Sequence, residues 1–324
     1  MSLYRKMRGN RGGIKLYKDN LFNHDISWEQ LASRTVLPER LYKYQAFYEE
    51  SGTENIFWKQ NMQGEFHLSL ACEFEDINDC RPYFDKNEIV RYIVQFLEDI
   101  MCEKEHFSEV KNELKECITE NYLEEIKKNY QKEIRIGCFT NSYKNEKMWD
   151  KYGDEKKGFC IEYDTRKGKQ FSLLTLPVFY SSQKYNMSLA VAYLLILETI
   201  RKSKKRSEGE NLKIYGEIYK KLIKTTYIPV FLKDSSRWSF ENEFRMCILK
   251  HMATPDGTIK MEDILDKRYN IDLGNAITAI YLGADFDKNK NADKLYNDIL
   301  QIKNRNKSGD LKIYRLNEKG IIEV

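Results

Sequence analysis

Several things are scarce in this chain of 324 residues. It has 5 prolines and 4 histidines, the latter scattered at positions 24, 67, 106 and 251. No zinc-binding spacing, no HExxH helix and no locally supported histidine triad can be written from them. The cysteines number seven and contain no CxxC pair, which reads as reduced thiols buried as small hydrophobes rather than a disulfide framework. No GxGxxG follows a strand, and neither GxxxxGK[ST] nor GxSxG occurs. The simplest dinucleotide, nucleoside-triphosphate and serine-hydrolase readings are thereby removed. The longest apolar run, Ser188 to Ile200, is too short for a bilayer and ends in Glu198 and Thr199. The start, MSLYRKMRGNRGG, is basic and lacks the apolar stretch of a secretory signal. Neither sign of charge dominates: 54 Lys+Arg face 50 Asp+Glu. A uniform basic coat for nucleic acid is disfavoured, and the expectation is a cytoplasmic protein without membrane contact.

What remains is carboxylates, aromatics and cations on a globular frame that is 41% hydrophobic. Residues 1–35 carry Arg5, Lys6, Arg8, Arg11, Lys15 and Lys18 around Gly12 and Gly13, and read as a loosely held basic arm. Strands are expected at Leu41 to Phe47, Glu65 to Ala71, Ile134 to Thr140, Gly158 to Asp164, Leu176 to Tyr180, Phe240 to Leu249 and Ala276 to Gly283. LKIYRL is expected as the last strand. Helices are expected at Glu54 to Gly64, in NEKMWDKYGD and from about Asn291 to Ile302. Two blocks with helical period, about 87–132 and 186–231, interrupt this series. The second holds the polar run Arg201 to Asn211, read as a solvated hinge. Regular β-α-β alternation is missing, so the fold class expected is α+β. Its small mixed and antiparallel sheets would form a single domain over 36–324, enlarged by the two helical insertions.

Three segments place polar groups where a plain strand or helix has no need of them. In RWSFENEFRM, strand alternation puts Phe240, Asn242, Phe244, Met246 and Ile248 on one face. Glu241, Glu243 and Arg245 then share the other, either as a solvated ladder or as carboxylates whose pKa values are tuned in a cleft. In LYKYQ, Tyr42 and Tyr44 flank the oppositely directed Lys43. The arrangement suits a flat ring or a phosphate, or equally core tyrosines with a snorkelling lysine. In KMWDKYGDEKKGFCIEYD, Met148 and Trp149 share a helix face with Tyr152, either as packing or as a stacking wall.

In order, these segments resemble the bacterial domain-of-unknown-function family 2971. The likeness rests on Leu41-Tyr42-Lys43-Tyr44, Ser69 with Asn78-Asp79, and Met148-Trp149 with Tyr152. It continues in Gly158-Phe159-Cys160-Ile161-Glu162-Tyr163 and in Trp238 with Glu241, Glu243, Phe244 and Arg245, spanning about residues 37–285. Cys80 and Ile77 depart from the family's usual Pro and Phe beside Asn78-Asp79. The order is also distantly similar to the ADP-ribosyltransferase superfamily, which implies a split sheet and NAD as substrate. On that likeness Lys43 takes the ribose position, Tyr152 or Trp149 stacks the nicotinamide, Glu243 is the catalytic carboxylate and Glu241 orients an acceptor. Tyr42, Tyr44 and Ser69 join the NAD-binding set, and Arg245 the catalytic one. Lysine departs from the usual histidine or arginine and lacks a bidentate grip.

Three functions are consistent with the sequence. The first is an NAD-consuming transferase or glycohydrolase, with a small nucleotide as ligand and a protein or nucleic-acid acceptor left open. The second is a non-catalytic sensing or interaction module, as in phage defence or a stress response. The third is a nuclease with Mg²⁺ held by Glu162, Asp164, Glu241 and Glu243, although no metal site is expected from the spacing. The oligomeric state is not written in the sequence.

Overall fold

The computed structural model describes residues 19–23, 30–31, 34–76, 78–100, 107–182, 184–202, 225–249, 270–305, 311–317 and 320–324. Most of the expected basic arm, Ile77 and residues 203–224 of the second helical block lie outside them. The fold is α+β. The strands are β1 (Arg40–Gln45), β2 (Glu65–His67), β3 (Ser69–Leu70), β4 (Ile134–Phe139), β5 (Phe159–Asp164), β6 (Thr175–Pro177) and β7 (Phe179–Tyr180). They continue as β8 (Leu232–Lys233), β9 (Phe244–Leu249), β10 (Asn270–Asp272), β11 (Ile277–Leu282), β12 (Lys312–Asn317) and β13 (Gly320–Glu323). The helices used below are α1 (Trp58–Gln63), α2 (Lys86–Ile100), α3 (Phe107–Cys117), α4 (Glu120–Lys132), α5 (Glu146–Tyr152), α6 (Lys169–Leu174), α7 (Ser188–Lys202), α8 (Ser235–Trp238) and α9 (Ala292–Arg305). None of the described helices is long and apolar enough to cross a membrane.

Two main sheets carry the molecule: a five-stranded one in the order β1-β5-β11-β12-β13 and a four-stranded one in the order β3-β4-β9-β6. A backbone bridge joins β1 to the residue that follows β4. Tyr42 N–H donates to Thr140 O at 2.8 Å and Thr140 N–H returns to Tyr42 O at 2.7 Å. Beyond that stitch β1 and β4 part, and the sheets enclose an apolar core of Leu41, Phe66, Phe139, Phe159, Tyr163 and Met246 with their neighbours. Close approach there depends on Gly137 in β4, because a Cβ would lie 2.0 Å from the Phe66 ring. Phe66 stacks instead on Phe139 at 4.6 Å. Residues 225–231 close the far face of the four-stranded sheet, where Tyr227, Val230 and Phe231 meet Ile136, Leu176 and Cys247. The helical layer is separate. There α2, α4 and α7 pool Ile89, Val90, Ile93, Leu123, Ala190 and Val191, and the Thr119 hydroxyl caps α4 by accepting from Tyr122 N–H at 3.2 Å.

Several expectations need correction. The Glu65 to Ala71 segment is two strands in two sheets, since β2 pairs with β10 and β3 with β4. The Leu176 to Tyr180 strand likewise divides into β6 and β7, paired with β9 and β8. LKIYRL is not the last strand, because β13 follows and pairs with it. The strand expected from Phe240 begins only at Phe244. Ser239–Glu241 form a 3-10 turn, and Asn242 sits in the left-handed region at φ 44°. Cys72 and Cys117 are exposed rather than buried.

Candidate functional site

A cavity of about 300 Å³ opens where β1 and β4 part. Five stretches of the chain build its three walls. From β1 and the adjoining end of β4 come Tyr42, Lys43, Tyr44, Cys138, Phe139 and Thr140. The loop after β3 supplies Glu73, Phe74, Glu75, Asp76 and Asp79, and α5 supplies Met148 and Tyr152. The third wall is Lys233, Trp238, Glu241 and Glu243. Six carboxylates (Glu73, Glu75, Asp76, Asp79, Glu241, Glu243) thus face two ammonium groups (Lys43, Lys233). The chamber favours a ligand part that is cationic, flat or both.

Beneath this wall lies a closed ionic network. Arg245, fully buried, reaches Glu243 Oε1 through Nε at 2.7 Å and Asp79 through both terminal nitrogens at 2.8 and 2.6 Å. It also donates to the Val230 carbonyl at 2.7 Å. Lys233 Nζ donates to Glu241 Oε2 at 2.6 Å and to Glu243 Oε2 at 2.9 Å, and lies 3.6 Å from Asp79. The alternation within β9 explains the placement. Phe244, Met246 and Ile248 face the core between the sheets, and Arg245 faces the other way, toward Val230. The left-handed turn at Asn242 then swings Glu241 back beside Glu243, although the two no longer share a strand.

The two glutamates are pushed apart electrostatically. Burial and the neighbouring Glu243 charge hold Glu241 above the ordinary glutamate value, against the pull of Lys233 and of the Tyr152 hydroxyl. That hydroxyl donates to Glu241 Oε1 at 2.5 Å. Burial acts on Glu243 in the same direction, but Arg245 and Lys233 outweigh it and hold Glu243 below the ordinary value. The two carboxylates are thus shifted in opposite directions, the kind of separation that acid–base sites use. Lys43 lies across the cavity with Nζ 5.1 Å from the centroid of the Phe66 ring. It makes no hydrogen bond or ion pair among the described residues, and burial lowers its pKa. A partly desolvated, unpaired cation on a cavity wall is available to an anionic ligand group.

The structure brings Tyr42, Lys43, Tyr44, Tyr152, Glu241 and Glu243 to one cavity. Arg245 lies beneath it as a support. Two candidates are elsewhere. Ser69 is in β3, paired with Ile136, and does not line the cavity. Trp149 is buried edge-on against Tyr44 at 4.9 Å, with its indole N–H donated to the Tyr143 carbonyl, so it packs rather than stacks a ligand. The Tyr42 and Tyr44 hydroxyls point away too, to Glu162 at 3.1 Å and to the Ser142 carbonyl at 2.9 Å. Glu162 and Asp164 belong to β5 and are engaged by Arg40 outside the cavity. The four-carboxylate metal set is therefore not assembled, and no group of three His, Cys, Asp or Glu among the described residues is disposed to hold a metal. Asp79, Lys233, Phe74 and Trp238 were absent from the candidate set. Asp79 and Trp238 stood in the motifs quoted above, whereas Lys233 has no local signal.

Residues 148–246 match the family model described as Protein of unknown function (DUF2971). This is less than half of the chain, and narrower than the span of 37–285 on which the resemblance was read. The matched stretch holds Met148, Tyr152, Lys233, Trp238, Glu241 and Glu243, one side of the cavity, together with Arg245 beneath it. No curated protein and no solved structure matches the chain.

Proposed function

We propose that this protein cleaves the N-glycosidic bond of a pyridinium nucleotide such as NAD, passing the ribosyl group to water or to an acceptor. One observation carries the reading: Glu241 and Glu243 stand side by side on an open cavity with their protonation pushed in opposite directions. Loss of nicotinamide from NAD needs no acid, because the ring leaves neutral. It needs anionic surroundings for the oxocarbenium ion and a base for the incoming nucleophile. The carboxylate-rich chamber suits the first requirement. Glu241 suits the second better than Glu243, since a raised pKa strengthens a base and Glu241 is held by one cation, Lys233, where Glu243 is held by two. Lys43 is then the group for a ligand phosphate or ribose oxygen. The supporting test is incubation with NAD, with and without candidate acceptors, while nicotinamide is measured. Release that Glu243→Gln and Glu241→Gln abolish is expected, and none from wild type under either condition contradicts the reading.

A second reading, a module that senses such a ligand without turning it over, is favoured by the saturation of Glu243, Arg245 and Asp79 by one another. Calorimetric binding of NAD with no nicotinamide released would select it.

A further inference from the structure

The wall formed by Asp76, Asp79 and Lys233 has a second side. Behind it lies another cavity, of about 210 Å³, sharing those three residues with the first. Its character is the reverse. Arg81, Lys184, Lys233 and Arg237 line it against Asp76, Asp79 and Asp234, with the hydroxyl-bearing Ser181 and Ser182 between. All three carboxylates are already bound. Asp76 accepts the Trp238 indole N–H at 3.0 Å, Asp79 takes Arg245, and Asp234 accepts Ser236 N–H and Oγ at 2.8 and 2.7 Å. The cations are not matched in the same way. Arg81 pairs with Glu124 at 2.5 Å and Lys233 with the two glutamates, but Lys184 and Arg237 make no hydrogen bond or ion pair among the described residues. Arg237 rests over the Trp238 ring, 5.6 Å from its centroid, and its charge also bears on Asp234 without forming an ion pair with it.

We propose that this second chamber is a phosphoryl-anion subsite, with Lys184 and Arg237 as its free donors. Two unengaged cations on one cavity wall, Lys184 and Arg237, beside hydroxyls suit the many oxygens of a phosphate or diphosphate. The inference rests on the reading above for its biological meaning. Joined at Lys233, the chambers would take the two unlike ends of one ligand, a cationic ring and a diphosphate. The same chemistry could instead come from a separate phosphorylated molecule.

Inorganic pyrophosphate is the probe. Its affinity should be measured by calorimetry for wild type, for Lys184→Ala/Arg237→Ala, and for Lys128→Ala/Lys167→Ala, which removes equal charge from exposed positions elsewhere. Binding to wild type, weakened about tenfold or more in the first variant and little changed in the second, is expected. No binding to wild type, or equal weakening in both variants, overturns the subsite. Competition by NAD would assign the anion to the donor's own diphosphate, and simultaneous binding to a separate phosphorylated molecule. The measurement needs no turnover, so pyrophosphate binding without nicotinamide release leaves the subsite standing while the glycosidic reading falls.

Discussion

Two carboxylate nests, one on the five-stranded sheet and one beside the four-stranded sheet, use different donors. On the five-stranded sheet Glu162 takes hydroxyls from Tyr42, Tyr281 and Thr278 at 3.1, 2.9 and 2.6 Å, with Arg40 at 3.2 Å. On the four-stranded sheet and the turn before it, Glu241 and Glu243 are held mainly by Lys233 and Arg245. Hydroxyls, which add no charge, supply most of the first nest, beside tyrosine rings that stack on one another, Tyr281 on Tyr143 at 4.3 Å and on Tyr314 at 5.1 Å. Ionic donors create a field that reaches the neighbouring groups. Burial and the Glu243 charge raise Glu241, Arg245 and Lys233 lower Glu243, and the pair lines an open cavity. A carboxylate held off its ordinary pKa beside open space is a candidate for chemistry.

The sharpest way to break this contrast is Arg245→Met. It leaves Asp79 and Glu243 buried with Lys233 as their shared cation, and should cost about 3–5 kcal/mol in denaturant unfolding. In the other nest Tyr281→Phe removes one hydroxyl of three, and a loss of about 1 kcal/mol is expected with no change in nicotinamide release. Smaller still is Arg40→Met. This half-exposed residue serves Glu162 and Asp164, both of which keep other donors, so under about 1 kcal/mol should be lost. If Arg40→Met proved as damaging as Arg245→Met, the distinction between the nests would collapse.

Acidity offers a further division. Glu243, with its pKa below the ordinary 4.5, binds its proton less readily folded than unfolded. Its contribution to stability is therefore complete above that pH and is lost as pH falls below it. Glu241, displaced upward, has the opposite sign: the folded state binds its proton more readily, and stability declines as pH rises above 4.5 through its folded value. Tyr152→Phe removes a hydrogen bond that favours the Glu241 anion. The acidic limb of a pH–rate profile should therefore move to higher pH, with little change in melting temperature.

Much of the fold could be read in the residues. Ile134 to Thr140 and Gly158 to Asp164 appear as β4 and β5 within a residue or so, because β-branched and aromatic residues are bounded there by polar turns. The block 87–132 resolves into α2, α3 and α4 on its helical period. Glu65 to Ala71 shows where periodicity fails. Its alternation is continuous, but which sheet each half joins depends on partners, Ile271 and Ile136, that lie far along the chain. The site divided similarly. Glu241 and Glu243 were legible as neighbours, and their common side survived for a reason alternation did not supply, the left-handed Asn242. Lys233 was invisible because its role arises only when β8 is brought beside the end of β9 by tertiary packing.

The most direct test of the central claim, that Glu241 moves the proton while Glu243 stays an anion, is nicotinamide release from NAD by wild type and Glu241→Gln across pH, each checked by melting. The account predicts release by wild type that falls on acidification, with its inflection above 4.5, and a loss of about 10²–10⁴-fold in a variant that still melts as a folded protein. Undiminished release in Glu241→Gln, or a wild-type profile with its inflection below 4.5, would contradict it.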